Sequence, residues 1–376
     1  MDYDLSEFNA AAEKMTGWVQ RPDRNRAERY SMQLWANAFD PKNPLYHDPA
    51  YAAGTVWGGL IGAPLYEEVF TLTTWNAPTP KGLGHPSHGY AGVPFMLGEE
   101  WEFRRPVYEG ERLRVWRNLP ALTKDDSDDS DGITRFTLKS HDVELVDDSG
   151  NVIAESRCYL RMWLSGFTAA ARAPHAHIYS PEDIENIRNI YQSEIIRGST
   201  PRFIEDVQPG DVLQPAVLGP TTPWDMLVFS VGRQDQKLLP MLELQNQPNG
   251  PSSPDPVTGV PKCFMECHIA NDTAHSLGLP NAIHAGAVDR SLLMRIVTNW
   301  MGDDGFVTSF HWQPLADTFV GDTLFASAAV VETDSESSSC LIHARLLNQN
   351  AVTTARAQVR VLLPSHSRND HKIKGV

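Results

Sequence analysis

The sequence has little of what marks several common protein classes. Only four cysteines occur in 376 residues, Cys158, Cys263, Cys267 and Cys340. That is too few for a disulfide framework in a chain of this length. Cys263, Cys267 and His268 stand close together, but no second ligand pair completes a zinc pattern. Neither a metal nor a cofactor is expected, and the thiols read as buried and free. No apolar run approaches the roughly 20 residues that cross a bilayer, which excludes a membrane-spanning helix. The acidic opening Met1-Asp-Tyr-Asp-Leu-Ser-Glu7 lacks the features of a signal or transit peptide, so a cytoplasmic protein is expected. Positive charge is in deficit. A net charge of −15 argues against a nucleic-acid partner. It also requires any phosphate-bearing ligand to find a local cluster of Arg or Lys. What remains is an ordinary globular balance, 41% hydrophobic and 21% charged, and a length that suits two domains.

The most telling feature present is an internal repeat. The first copy runs from Asn43-Pro-Leu-Tyr46 through Tyr51-Ala52 to Gly58-Gly-Leu-Ile-Gly-Ala-Pro64. The second runs from Cys267-His268 through Asn271-Asp-Thr-Ala274 to Leu279-Pro-Asn-Ala-Ile-His-Ala-Gly286. Aligning Ala52 with Ala274 gives an offset of 274 − 52 = 222. The same offset sets Tyr46 against His268 and Pro64 against Gly286. The copies differ where chemistry would sit, which indicates one working half and one half without the catalytic group.

Each copy lies in a similar order of elements. In the first half a helix is expected over about 25–39, stopped at Asp40-Pro41, then a second helix starting at Pro64–Phe70. Strands follow near 98–105, 110–117, 134–146 and 152–163, with the acidic run Lys124–Asp131 as a solvated hairpin loop. Ser180-Pro-Glu-Asp183 and Thr222-Pro-Trp-Asp225 are capping boxes that open helices. Glu205-Asp-Val207 reads as a strand entering a turn. A long helix is expected over 285–301, then strands at 307–312, 323–332, 340–348 and 355–363. Helices followed by antiparallel strands, twice over, indicate an α+β class. The expected divisions are 1–165 and 201–364, joined by a linker at 166–200 and followed by a tail at 365–376. Residues 236–262, rich in Pro, Gly, Asn and Gln, interrupt the second copy as a long inserted loop.

Two such units resemble a double hotdog of the MaoC-like acyl dehydratase and enoyl-CoA hydratase group, in which each antiparallel sheet wraps a central helix. The first half is similar to fungal-fatty-acid-synthase-like dehydratases on the strength of Asn43-Pro44, Gly58–Pro64, Arg105-Pro106 and Glu109-Gly-Glu111. The second half is similar to the C-terminal half of bacterial two-hotdog proteins, through Arg197-Gly198, Pro201-Arg202, Gly219-Pro220 and Asn299–Gly305. The resemblance implies a lyase acting on an acyl-CoA or acyl-carrier thioester. Its active half carries Asp-x-Asn-Pro-x-His with alanine six residues on, and His268 and Ala274 keep that spacing. The acid departs, because Cys263 and Met265 stand where Asp and Asn belong. Asp235 is then the first candidate for the acid and Glu266 the second. Gly286, opening the long helix, is the candidate oxyanion donor, whereas Pro64 has no N–H to give. Tyr46, Asn43 and His284 are candidate substrate-contacting residues, and Arg290 and Arg295 candidate phosphate contacts. A catalytically silent acyl-binding subunit and a hotdog thioesterase are the alternatives. A homodimer of double hotdogs, meeting at helix ends such as Trp300-Met301, is possible on the same reading.

Overall fold

Alternation along the C-terminal strands decides which way the sheet faces. Leu324, Ala326, Ala328 and Val330 are buried on one strand, as are Ala355, Ala357, Val359 and Val361 on another, with half-buried or exposed residues between them. The computed structural model describes residues 6–19, 25–71, 95–118, 122–125, 135–163, 177–234, 240–245, 252–255, 257–276 and 279–367. Its strands are β1 (Gly17–Val19), β2 (Phe95–Phe103), β3 (Leu113–Asn118), β4 (Leu122–Asp125), β5 (Arg135–Asp147), β6 (Val152–Trp163), β7 (Ala216–Leu218), β8 (Ser252–Pro254), β9 (Pro261–Cys263), β10 (Phe306–Pro314), β11 (Leu324–Asp334), β12 (Ser339–Asn348) and β13 (Thr353–Leu362). Its α-helices are α1 (Ser6–Met15), α2 (Arg29–Phe39), α3 (Pro49–Ala53), α4 (Glu68–Thr71), α5 (Pro181–Ser193), α6 (Pro223–Arg233), α7 (Met241–Gln245), α8 (Asn271–Ser276) and α9 (Gly286–Met301).

The two halves share one antiparallel sheet, in the order β1-β3-β5-β6-β2-β10-β13-β12-β11-β7. The seam is β2 against β10, with Phe310 opposite Trp101 and Trp312 opposite Glu99. The sheet wraps helices as tandem hotdog domains do. The wrapped helix of the second half is α9, in which every residue from Ala287 to Met301 is buried. A helix buried on all sides needs its charges neutralised within the protein. Arg290 and Arg295 are therefore not phosphate contacts. Arg290 pairs with Glu68 and with Glu99, the latter at 2.5 Å, and Arg295 pairs with Glu194 at 2.9 Å. Trp300 and Met301 are also buried, so they offer no helix-end surface for a second chain.

Both capping boxes form as read, each with proline at its first helical position. Three expectations change. Residues 25–28 are not helical, because Ala27 and Leu113 exchange backbone hydrogen bonds with Glu111 and Asn25 and draw the segment to the sheet. Ile204–Asp206 is a short 3-10 helix rather than a strand. The inserted region has its own structure: α7 and a β8–β9 hairpin, whose turn is tied by the Asp255 carboxylate accepting from the N–H of Val257 and Thr258. Of the acidic run at 124–131, only Lys124 and Asp125 lie within the described residues.

Candidate functional site

The 222-residue offset survives in three dimensions. A 3-10 turn ends at Tyr46 in the first half and at His268 in the second. The next helix starts at Pro49 and at Asn271, and 271 − 49 = 222. Isolated bridges form at Ile61 and Ile283, and the N–H groups of Gly62 and His284 donate to the Val107 and Thr318 carbonyls. The halves then diverge at the following turn. In the second half α9 begins at Gly286. In the first, residues 64–67 are a turn with Leu65 at φ +73°, and the α4 helix begins only at Glu68. Pro64 and a left-handed leucine thus occupy the place where the second half presents a helix N-terminus.

His268 is half-buried, and its Nδ1–H donates to the Ile283 carbonyl at 2.7 Å. A carbonyl only accepts, so this bond fixes the tautomer and leaves Nε2 as the nitrogen able to take a proton. Ile283 N–H returns a bond to the Cys267 carbonyl at 3.0 Å, so the histidine turn and the approach to α9 form one unit. Three residues beyond Ile283 lies Gly286. A Cβ there would stand 3.1 Å from the Trp312 ring and 3.3 Å from Met96 Sδ, so only glycine fits without displacement. Its first-turn N–H belongs to the set that lacks an intrahelical acceptor.

The other predicted site residues fall elsewhere. His284 is fully enclosed. Its Nε2 lies 2.7 Å from Thr221 Oγ1 and its Nδ1 lies 3.2 Å from Asp289 Oδ1. It is a partner within the protein rather than a substrate contact. The Glu266 carboxylate accepts from Cys263 N–H at 2.9 Å and caps the histidine turn. Asn43 is buried and is itself the N-cap of the first-half turn, its Oδ1 accepting from Leu45 N–H at 3.1 Å. Asp235 lies outside the described residues. Burial raises the thiol pKa of Cys267 to about 12 and raises that of Cys263, so neither supplies a thiolate near neutrality. Among the described residues no cluster of three His, Cys, Asp or Glu is arranged to hold a metal.

Tyr46, the counterpart of His268, is fully buried. Burial raises its phenol well above the usual range, helped by the charges of Asp40, Asp303 and Glu67. These carboxyls are themselves perturbed. Asp40 is raised to about 7 and Glu67 to about 8, chiefly by burial. Asp40 Oδ2 accepts from Thr298 Oγ1 at 2.9 Å, and Asp303 Oδ2 accepts from Tyr51 Oη at 2.6 Å. This cluster joins the first-half loop to the C-terminal end of α9. Asp303 thus bonds across to the first half, and Tyr46 is a packed core group rather than a substrate contact. His47, out of register, turns back to the Asp40 carbonyl at 2.9 Å. A polar hollow of about 550 Å³ near Arg26, Arg112 and Asp147 contains none of these residues.

The sequence reading missed Thr221, Asp289 and the Glu68–Arg290 pair. The offset itself held the signal, since it sets Gly62 against His284, Glu67 against Asp289 and Glu68 against Arg290.

Residues 14–156 match the family described as FAS1-like, dehydratase domain region. No curated protein sequence matches the chain significantly. Solved structures match at low identity over nearly the full length. A MaoC-like dehydratase aligns with a TM-score of 0.63 at 14% identity, covering 94% of this chain and 99% of its own. A conserved hypothetical protein of Mycobacterium tuberculosis, described as having a double hotdog fold, aligns at 0.56 and 11% identity, covering 92% and 96%. A MaoC domain protein dehydratase from Chloroflexus aurantiacus aligns at 0.52 and 11%, covering 93% and 95%. The chain has the double-hotdog fold. Among the described residues no helix is long and apolar enough to cross a membrane.

Proposed function

We propose that this double hotdog is a hydratase or dehydratase of acyl thioesters, interconverting 2-enoyl and 3-hydroxyacyl forms, with its chemistry in the second half. The observation that carries the reading is the His268–Ile283 hydrogen bond, which readies Nε2 as a base and ties the histidine to the backbone three residues before α9 begins. In hydration, Nε2 takes a proton from water as the water oxygen bonds to the β-carbon. The electrons of the double bond move towards the thioester carbonyl, and the α-carbon then receives a proton. The Gly286 N–H and the positive end of α9 stabilise the enolate oxygen. Asp235 is our first candidate to deliver the α-proton. Glu266 is the weaker one, because its carboxylate already caps the histidine turn. The substrate is an acyl-CoA or carrier-bound thioester in a cytoplasmic setting, and no cofactor is required for this chemistry. We take the first half, as residues 1–165, to be non-catalytic and the second, 201–364, to hold the site.

The test is loss of enoyl-thioester absorbance with a panel of 2-enoyl-CoA esters, comparing wild type with His268→Ala. Turnover that falls by about a hundredfold or more in the variant supports the reading. One observation favours a second reading, an acyl-binding subunit without turnover: buried Cys263 occupies the position five residues before His268 where the family motif has its aspartate. Acyl-CoA binding without turnover of any ester establishes that alternative.

A further inference from the structure

His268 and Gly286 both depend on one strap of backbone, residues 283–286. The strap supplies the acceptor that fixes the His268 tautomer and leads into the first-turn N–H of α9. Beneath it lies a closed chain of side chains. His284 N–H donates to the Thr318 carbonyl at 2.9 Å. Thr318 Oγ1 donates to Asp289 Oδ2 at 2.9 Å, and Asp289 Oδ1 faces His284 Nδ1 at 3.2 Å. His284 Nε2 meets Thr221 Oγ1 at 2.7 Å. That hydroxyl also lies 3.2 Å from the Asp322 carbonyl and accepts from Gly321 N–H at 3.3 Å.

Hydroxyl, imidazole and carboxylate stand in the order of a nucleophilic triad. Burial excludes that use: Thr221 is 3% exposed and the His284 side chain 0%. No acyl carbon reaches this hydroxyl, and its hydrogen-bonding capacity is taken up by neighbours. The arrangement holds the strap at His284 instead, tying it to the loops at 221 and 318 and, through Asp289, to the first turn of α9.

We propose that Thr221, His284, Asp289 and Thr318 are positioning residues for the His268 site: they clamp residues 283–286 so that the Ile283 carbonyl and the Gly286 N–H keep the separation the chemistry needs. The proposal rests on the hydratase reading for what the site does, but the clamp itself is independent of it. The first half supplies the control. Its equivalents are Gly62 and Glu67, and it has neither a histidine at Tyr46 nor a helix N-terminus at Pro64. Base, donor and clamp are present together in one half and missing together in the other.

The experiment compares wild type with Asp289→Asn, Thr318→Val and Thr318→Ser. Histidine-labelled protein reports the His268 Nδ1–H resonance, assigned through His268→Ala, beside enoyl-CoA kinetics. Wild type should show a protected Nδ1–H. Asp289→Asn and Thr318→Val should raise its exchange about tenfold and lower kcat about tenfold or more, with KM within about twofold. Thr318→Ser, which keeps the hydroxyl, should restore both. Unchanged exchange and kcat in folded Asp289→Asn and Thr318→Val overturn the clamp. Thr318→Val is nearly isosteric and decides alone where Asp289→Asn does not fold. Should wild type hydrate no ester, the functional reading fails, while loss of Nδ1–H protection in the variants still supports the clamp.

Discussion

Arg290→Met should destabilise the protein strongly, and more at alkaline than at acidic pH. Arg290 is 1% exposed, and its guanidinium sits between Glu68 and Glu99, with Arg233 Nε 3.4 Å from the second Glu68 oxygen. It also lies 5.9 Å above the Trp312 ring. Removing one partner of a buried pair costs about 3–5 kcal/mol, because the remaining charge has neither water nor counterion. A Coulomb estimate at an effective dielectric of about 20 gives about 4 kcal/mol per pair at roughly 4 Å, in the same range. Glu68 keeps Arg233, but Glu99 loses its nearest cation. Burial already raises Glu99 to about 7 with Arg290 present. Without the arginine, Glu99 escapes the penalty by taking a proton, which becomes easier as pH falls. The loss should therefore be about 3 kcal/mol or more at pH near 8 and shrink to about 1 kcal/mol near pH 5.5. Urea unfolding of both proteins at the two pH values measures it. A deficit below about 1 kcal/mol at pH 8, or one that grows on acidification, would falsify the argument. Replacing the triad with Glu68→Leu, Glu99→Leu and Arg290→Met together should recover most of the stability, since apolar isosteres carry no desolvation penalty.

Other consequences follow from the same structure. Asp40, Glu67 and Glu99 have folded-state pKa values of about 7, 8 and 7, above their ordinary 3.8 to 4.5. The folded protein then holds protons that the unfolded chain releases, so the stability these three groups contribute is fully present below about pH 4 to 4.5 and is lost as pH rises to about 7–8. A urea midpoint that increases from pH 5.5 to 8.5 contradicts this. Asp147 and Glu205, depressed to about 2, act only at more acid pH, outside that window. Gly286→Ala forces a methyl to within 3.1 Å of Trp312; it should cost about 1–3 kcal/mol and lower kcat, read by thermal unfolding and enoyl-CoA turnover. Tyr46→Phe, in the closed first-half core, should leave kcat within about twofold, and a large fall in kcat would return chemistry to the first half.

The fold was legible where periodicity and end signals agreed. Val152–Trp163 and both capping boxes stand as the sequence indicates, because alternation and Ser/Thr-Pro-x-Asp chemistry act locally. What the sequence concealed is long-range. Residues 25–28 resemble a helix start until the pairing with Glu111 and Leu113 competes for them. Arg290 and Arg295 look like surface charges on any helical wheel, since their carboxylate partners lie far away in sequence, at 68, 99 and 194. Of the candidate site, His268 and Gly286 were visible through register alone, and the structure ties both to the same strap. His284 was visible as a residue but not in its role. Its function depends on Thr221, Asp289 and Thr318, and no local pattern links those positions.

The Glu68–Arg290 pair also explains why the halves differ. The two positions are equivalent, since 290 − 68 = 222, and they touch each other. In a symmetric dimer of identical halves, a residue on the two-fold axis meets its own copy, and a charge there faces a like charge. In one chain the two copies are free to become glutamate and arginine. The contact then favours pairing of unlike halves within the molecule over pairing of like halves between molecules. The same freedom lets one half carry His268, Gly286 and the clamp. In the other half, Tyr46, Leu65 and Glu67 close into a core against the far end of α9. On this account the central ion pair and the divergence of the two repeats have one origin, the presence of two equivalent units in a single chain, where equivalent positions are free to carry unlike residues.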